Sequence, residues 1–87
     1  MSIEFTQYLR PNGMKRTIYI DLGEKYNELG QGIIDMGMFF EIEELSNGLI
    51  SMTISDGDED LIIEICENNS EVKETVKKMI DRFIDPV

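Results

Sequence analysis

Residues 3–9 alternate between faces, with Ile3, Phe5, Gln7 and Leu9 on one side. Pro11-Asn12-Gly13 is a turn signal, and residues 14–20 then put Ile18 and Ile20 on one face and Tyr19 on the other. This is the pattern of a β-hairpin. Over roughly 22–36 the period changes to that of a helix, with Leu22, Tyr26, Leu29, Ile33 and Met36 on one face and Asp21 placed to cap it. Gly30 and Gly32 weaken this helix by ~1 kcal/mol each; they either permit close packing on a sheet or mark a break. Gly37 fits the position just past the helix end.

A second hairpin is predicted from 39–45 and 49–55. A two-residue turn at Asn47-Gly48 would set Glu43 opposite Met52 and Glu41 opposite Ile54, mixing carboxylates into the apolar stripe. A three-residue loop, Ser46-Asn47-Gly48 with Gly48 left-handed, shifts the register by one. Ile42 then faces Met52, Phe40 faces Ile54, Glu41 pairs with Thr53 and Glu43 with Ser51. A one-residue slip flips an entire face, so burial selects the second register; a bulge near Glu43-Glu44 would achieve the same result. An acidic loop at 56–60 leads to a strand at 61–66, with Leu61, Ile63 and Ile65 pointing one way and Ile62, Glu64 and Cys66 the other. Ser70 is a candidate cap for a last helix at about 71–84, whose apolar face is Val72, Val76, Met79, Ile80 and Phe83. Glu74 and Lys78 stand at the favourable i,i+4 spacing, and Pro86 follows the end.

The predicted order is β-β-α-β-β-β-α. It implies an α+β fold of two layers: an antiparallel sheet of about five strands with both helices on one face and the other face open. With Ile54 paired to Ile63, Glu41, Thr53 and Glu64 would form one row across the open face, and Glu43, Ser51 and Cys66 the next.

Composition bounds the function. The 87 residues make a single compact acidic domain, 1–87, with 41% apolar and 30% charged residues and a net charge of -10. That balance suits a folded chain and makes membranes and nucleic acid, both anionic, poor partners. The one cysteine, Cys66, excludes an internal disulfide and points to a reducing compartment. No apolar run reaches membrane-spanning length and the first residues lack signal-peptide character, so the expected location is the cytoplasm.

The charges are segregated. Between Tyr26 and Val72 there are twelve acidic residues and no lysine or arginine; all eight basic residues lie outside that window. A face with a sign is therefore expected, made of Glu41, Glu43, Thr53 and Glu64 on the sheet and of Asp56, Asp58, Glu59 and Asp60 in the loop. Its natural partner is a basic protein surface.

The remaining chemistry is thin. Glu41 and Glu64 would stand about 10 Å apart, two strand spacings, near the upper end of the range for inverting glycosidases. A flat face implies no cleft, however, and catalysis is not the reading. Asp56, Asp58 and Asp60 at spacing two, with Glu67 at the twelfth position, partly match a calcium loop. The match breaks at position six, which is Leu61 instead of glycine, so no metal is favoured and no cofactor is expected. Histidine is absent, which removes the commonest general base and metal ligand. Cys66 sits among acids that raise a thiol pKa. The order α-β-β-β-α is that of a double-stranded-RNA-binding domain, but Glu71 and Glu74 lie among Lys73, Lys77 and Lys78, which reads as a solvated helix face.

Three stretches carry a resemblance: Phe5 through Gly13, containing Tyr8-Leu9-Arg10-Pro11-Asn12-Gly13; Gly37-Met38-Phe39-Phe40-Glu41-Ile42-Glu43; and Ile63-Glu64-Ile65-Cys66-Glu67-Asn68. With them the chain resembles a group of small uncharacterised phage and bacterial proteins that share a Tyr-Leu-Arg-Pro-x-Gly opening and a late Glu-Ile-Cys-x-Asn segment. The resemblance implies a phage or mobile-element origin and no activity. It draws attention to Tyr8, Arg10, Glu41 and Glu43, where Arg10 could pair with a sheet carboxylate.

The expected function is a non-enzymatic interaction protein that meets a basic surface through its acidic sheet face and loop. Its sharp version is a nucleic-acid-mimicking inhibitor. The alternatives are a divalent-metal-binding protein or small enzyme using carboxylates of the 56–67 region, and a homo-oligomer that covers the open sheet face with another copy.

Overall fold

Two antiparallel strands, β1 (Ile3–Leu9) and β2 (Met14–Ile20), lead into helix α1 (Glu24–Asp35). Strands β3 (Phe39–Glu44), β4 (Ile50–Ser55) and β5 (Asp60–Cys66) follow, then a single 3-10 turn at Asn69–Glu71 and helix α2 (Val72–Ile84). The computed structural model describes residues 1–9 and 13–85. The predicted turn at Pro11-Asn12, the pairing of Arg10 and the stop at Pro86 lie outside the described residues.

The α+β class and the element order are those the pattern predicts. The sheet is mixed, however, in the order β2-β1-β3-β4-β5, with β1 and β3 parallel. Each strand still reverses the direction of the one before it. The parallel pair arises because β3 docks on the far side of β1 and not on β2. Burial explains the choice. β1 supplies Ile3 and Phe5, both fully buried, and the Phe5 ring lies 5.2 Å from that of Phe40 on β3. The β2 residues are exposed or only partly covered.

One cluster forms the core. It joins Ile3, Phe5, Phe40, Ile42, Ile50, Met52 and Ile54 of the sheet to Ile33 of α1 and Val72, Val76, Met79 and Ile80 of α2. Both helices thus bury their apolar stripes on the same sheet face. Gly30 is where α1 comes closest: a Cβ there would stand 2.9 Å from Ile3 Cδ1 and 3.6 Å from Ile80 Cδ1. Gly32 faces open space. The pair of glycines therefore divides into one that permits close packing and one that does not.

The β3–β4 register is the burial-selected one, with Phe40 opposite Ile54, Glu41 opposite Thr53, Ile42 opposite Met52 and Glu43 opposite Ser51. Leu45 N–H donates to Leu49 O at 2.7 Å around the Ser46-Asn47-Gly48 loop, and Gly48 has φ 87°. Only a residue without a Cβ takes that conformation without strain.

Both helix caps differ from expectation. Asp21 does not cap α1, whose N-cap is Gly23. Asp21 Oδ1 instead accepts from Gly23 N–H at 2.9 Å and from Asn27 Nδ2 at 2.9 Å, fixing the turn that precedes the helix. Asn27 is buried and also accepts from Leu22 N–H at 2.9 Å and donates to Met1 O at 2.5 Å. At the second helix Ser70 is not the cap: α2 follows Glu71 without a capping side chain, and Asn68 caps the preceding 3-10 turn, its Oδ1 accepting from Ser70 N–H at 3.0 Å. The extra 3-10 turn puts that capping side chain two residues before Ser70. Glu74 pairs with Lys77 at 3.6 Å, one residue short of the expected Lys78.

Candidate functional site

The open face is read from the ladders. One row runs Thr17, Thr6, Glu41, Thr53, Ile63 across all five strands, and the next runs Lys15, Tyr8, Glu43, Ser51, Ile65. Glu41, Glu43 and Thr53 therefore lie where the sequence places them. Glu64 does not. It pairs with Met52, so it shares the helix-covered side, while Ile63 pairs with Thr53 and Ile65 with Ser51. The row of Glu41, Thr53 and Glu64 does not exist, and the carboxylate pair considered for glycosidase chemistry is split between two faces.

The reason is local. Ser55 pairs with Asp60 and the ladder then shifts, so Ile54 meets Ile62 where an unbroken ladder would bring Leu61, and neither is the expected Ile63. Ile62 and Cys66 then turn toward the core, with Cys66 only 4% exposed. Between them Glu64 forms an ion pair with Arg82 of α2. A guanidinium from the covering helix makes the inward carboxylate tolerable. Leu61, Ile63 and Ile65 are left on the open side at 40%, 52% and 53% exposure.

The open face is not flat. Tyr8, Glu41, Ile42, Glu43, Ser51, Thr53, Asp60 and Ile63 line a hollow of about 170 Å³. The Tyr8 hydroxyl donates to Glu41 Oε2 at 2.9 Å. That bond, partial burial and the negative charges of Glu41, Asp60 and Glu43 hold the Tyr8 pKa above its usual range. Tyr8 thus donates to Glu41, with Glu43 and Asp60 also lining the hollow. Lys15 lies 5.6 Å from the Tyr8 ring centre on the β2 side. The spacing of residues along the strands gives no sign that Asp60 reaches this hollow, which it lines from the end of β5 beside the ladder shift.

The acidic loop behaves as a structural turn. Asp56 Oδ1 accepts from the N–H groups of Asp58 and Glu59, each at 2.9 Å, and these bonds lower its pKa. Ser55 Oγ accepts from Gly57 N–H at 3.0 Å. Asp58 and Glu59 are exposed. Asp60 and Glu67 flank the length of β5, about 20 Å for a strand of that size, so the calcium-loop ligands do not converge. Among the described residues no three acidic or cysteine side chains are grouped to hold a metal ion. The Cys66 thiol donates to Asn68 O at 3.5 Å, and burial pushes its pKa up.

Comparison with family models, curated proteins and solved structures gave no match. Among the described residues no helix is long and apolar enough to cross a membrane.

Proposed function

We propose that this chain is a non-enzymatic protein-binding module whose open sheet face receives a basic segment of another protein. The observation that carries the reading is the hollow between Tyr8 and Ile63, which Glu41, Glu43 and Asp60 line and where the Tyr8 hydroxyl donates to Glu41. Small-molecule sites usually span roughly 300–1,000 Å³; the volume of about 170 Å³ here suits a single side chain. An arginine or lysine head would meet the carboxylates, and its aliphatic stem would lie along exposed Ile63. The Ser51 and Thr53 hydroxyls add acceptors. The net charge of -10 attracts a basic partner from a distance and makes association faster at low salt. Glu64 drops out of the predicted surface because Arg82 engages it on the other side of the sheet. Asp56, Asp58 and Glu59 contribute field at the rim.

NMR titration with an arginine- and lysine-rich peptide tests the proposal. Shift changes are expected at Tyr8, Glu41, Glu43, Ser51, Thr53 and Ile63, weakening as salt is added, and Glu41→Gln should weaken binding severalfold. Shifts spread evenly over all acidic side chains, or an equal loss from Glu64→Gln, would overturn it.

A further inference from the structure

The outer edge of β5 presents an aliphatic row beside its main chain. Among the described residues no strand pairs with that edge, since β5 ends the sheet. The β4–β5 ladder is regular from Ile62 to Cys66, so this stretch offers a continuous row of main-chain groups. Natural edge strands are usually blunted by outward charges, proline or bulges. Here the shift sits only at the Asp60 end, and the one mid-strand charge, Glu64, is engaged by Arg82. What faces the open side along the edge is Leu61, Ile63 and Ile65, each at least 40% exposed.

We propose that two copies associate by antiparallel pairing of their β5 edges, with Ile63 opposite Ile63 of the second copy, to make a ten-stranded sheet. The register follows from the residues. Both helix layers must stay on one side of the joined sheet, so the symmetry axis passes beside a residue and opposed residues share a face. Centred on Ile63, the pairing sets Leu61 against Ile65, Ile62 against Glu64 and Asp60 against Cys66. Aliphatics meet aliphatics on the open side, and within β5 no carboxylate opposes another; Glu59 and Glu67 come opposite only beyond the strand ends. Centred on Ile62, it would oppose Asp60 and Glu64; centred on Glu64, it would oppose Glu64 to itself. Like charges directly opposed are unfavourable.

A basic strand suits this edge poorly. Its side chains would lie beside the aliphatic row, while Glu41 sits two strands inward, about 10 Å away. Self-association therefore uses the main-chain edge of β5, which shares Ile63 and Asp60 with the hollow, while Tyr8, Glu41 and Glu43 lie inward of it. Because each copy carries a charge of -10, screening should strengthen it. Added salt thus moves dimerisation and binding of a basic peptide in opposite directions, and that opposite response tells the two apart even though Ile63 belongs to both.

Cysteine cross-linking decides the register. In a Cys66→Ala background, Ile63→Cys should oxidise to a disulfide-linked dimer, because directly opposed Cβ atoms stand about 5 Å apart. Leu61→Cys should not, since its two copies are offset by four residues, roughly 13 Å. Sedimentation should show the wild type moving from 10.0 kDa toward twice that mass with concentration and salt. Ile63→Lys should hold it at the monomer mass with an unchanged circular-dichroism spectrum. Equal cross-linking at both positions, or a wild type that stays monomeric throughout, would overturn the proposal. So would a dimer mass unchanged by Ile63→Lys, or an edge occupied only when the basic peptide is added.

Discussion

Tyr8 and Glu41 are joined across the parallel β1–β3 ladder by a hydroxyl-to-carboxylate hydrogen bond of 2.9 Å. Neither residue belongs to the core, yet the bond ties the N-terminal hairpin to the acidic half of the sheet. Tyr8→Phe should destabilise the fold by about 1 kcal/mol, the ordinary net value of such a bond. The tyrosine pKa is raised by folding, so its contribution is complete below the unfolded value near 10 and is lost as pH climbs through the folded value. Denaturation followed from pH 9 to 12 should show the wild type losing stability more steeply than Tyr8→Phe at the alkaline end. Parallel curves would mean that the bond contributes nothing.

The ion pair of Glu64 and Arg82 supports a second prediction. Their side chains are 27% and 57% exposed, so the pair is screened and contributes no more than about 1 kcal/mol. Arg82→Met should lower stability by that amount at low salt and by less at high salt, as urea titration will show. Removing the arginine leaves Glu64 facing the covered side alone, so Glu64→Gln should recover part of the loss in the double variant. Strict additivity of the two changes would show that the residues are not coupled.

These two contacts mark the limits of what the sequence discloses. The β3–β4 register was legible because only one alignment keeps Glu41 and Glu43 out of the core. The same reasoning misplaces β5. There both alternating sets are largely apolar, and counting aliphatics favours Leu61, Ile63 and Ile65. The deciding facts are non-local: a shift beside Ser55 and an arginine eighteen residues on. The parallel β1–β3 pair was illegible for a related reason, since periodicity tells which face of a strand is buried and not which strand lies beside it. Of the expected surface, Glu41, Glu43 and Thr53 share the open face, Asp60 joins them at the hollow, and Glu64 departs. Tyr8 was visible as a non-core residue, but its place among the acids of the hollow depends on that strand order.

Gly30 and Gly32 should respond oppositely to the same substitution. Gly32→Ala adds a methyl group into open space and should stabilise α1 by about 0.5–1 kcal/mol. Gly30→Ala gains the same helix propensity but drives a Cβ to 2.9 Å from Ile3 Cδ1 and 3.2 Å from its Cγ2. Ile3 is buried and its Cγ2 cannot swing aside without moving the chain, so overpacking of about 1–3 kcal/mol should outweigh the gain. Thermal melts of the two variants will resolve the signs, and a rise in both would mean that α1 can lift from β1 at no cost.

Asn27 should be the most sensitive polar position in the chain. Its buried side chain accepts from Leu22 N–H and donates to Met1 O and Asp21 Oδ1, tying a largely exposed turn to the core. Asn27→Leu deletes those partners while keeping the volume, and leaves the Leu22 N–H without an acceptor. A buried unsatisfied donor costs about 1–3 kcal/mol, and the lost bonds add to it. The same turn carries an acid dependence. The Asp21 pKa is lowered by the Gly23 N–H first and by Asn27 second, so its stabilisation is present above the ordinary carboxylate value and disappears as pH falls through the lowered one. Asn27→Leu should therefore reduce stability at neutral pH and flatten the acid limb below the ordinary carboxylate value. Asp21→Asn should flatten that limb while sparing most of the neutral stability, because an amide oxygen still accepts from Gly23. Equal neutral losses from the two variants would show that Asp21, and not the buried amide, organises the turn.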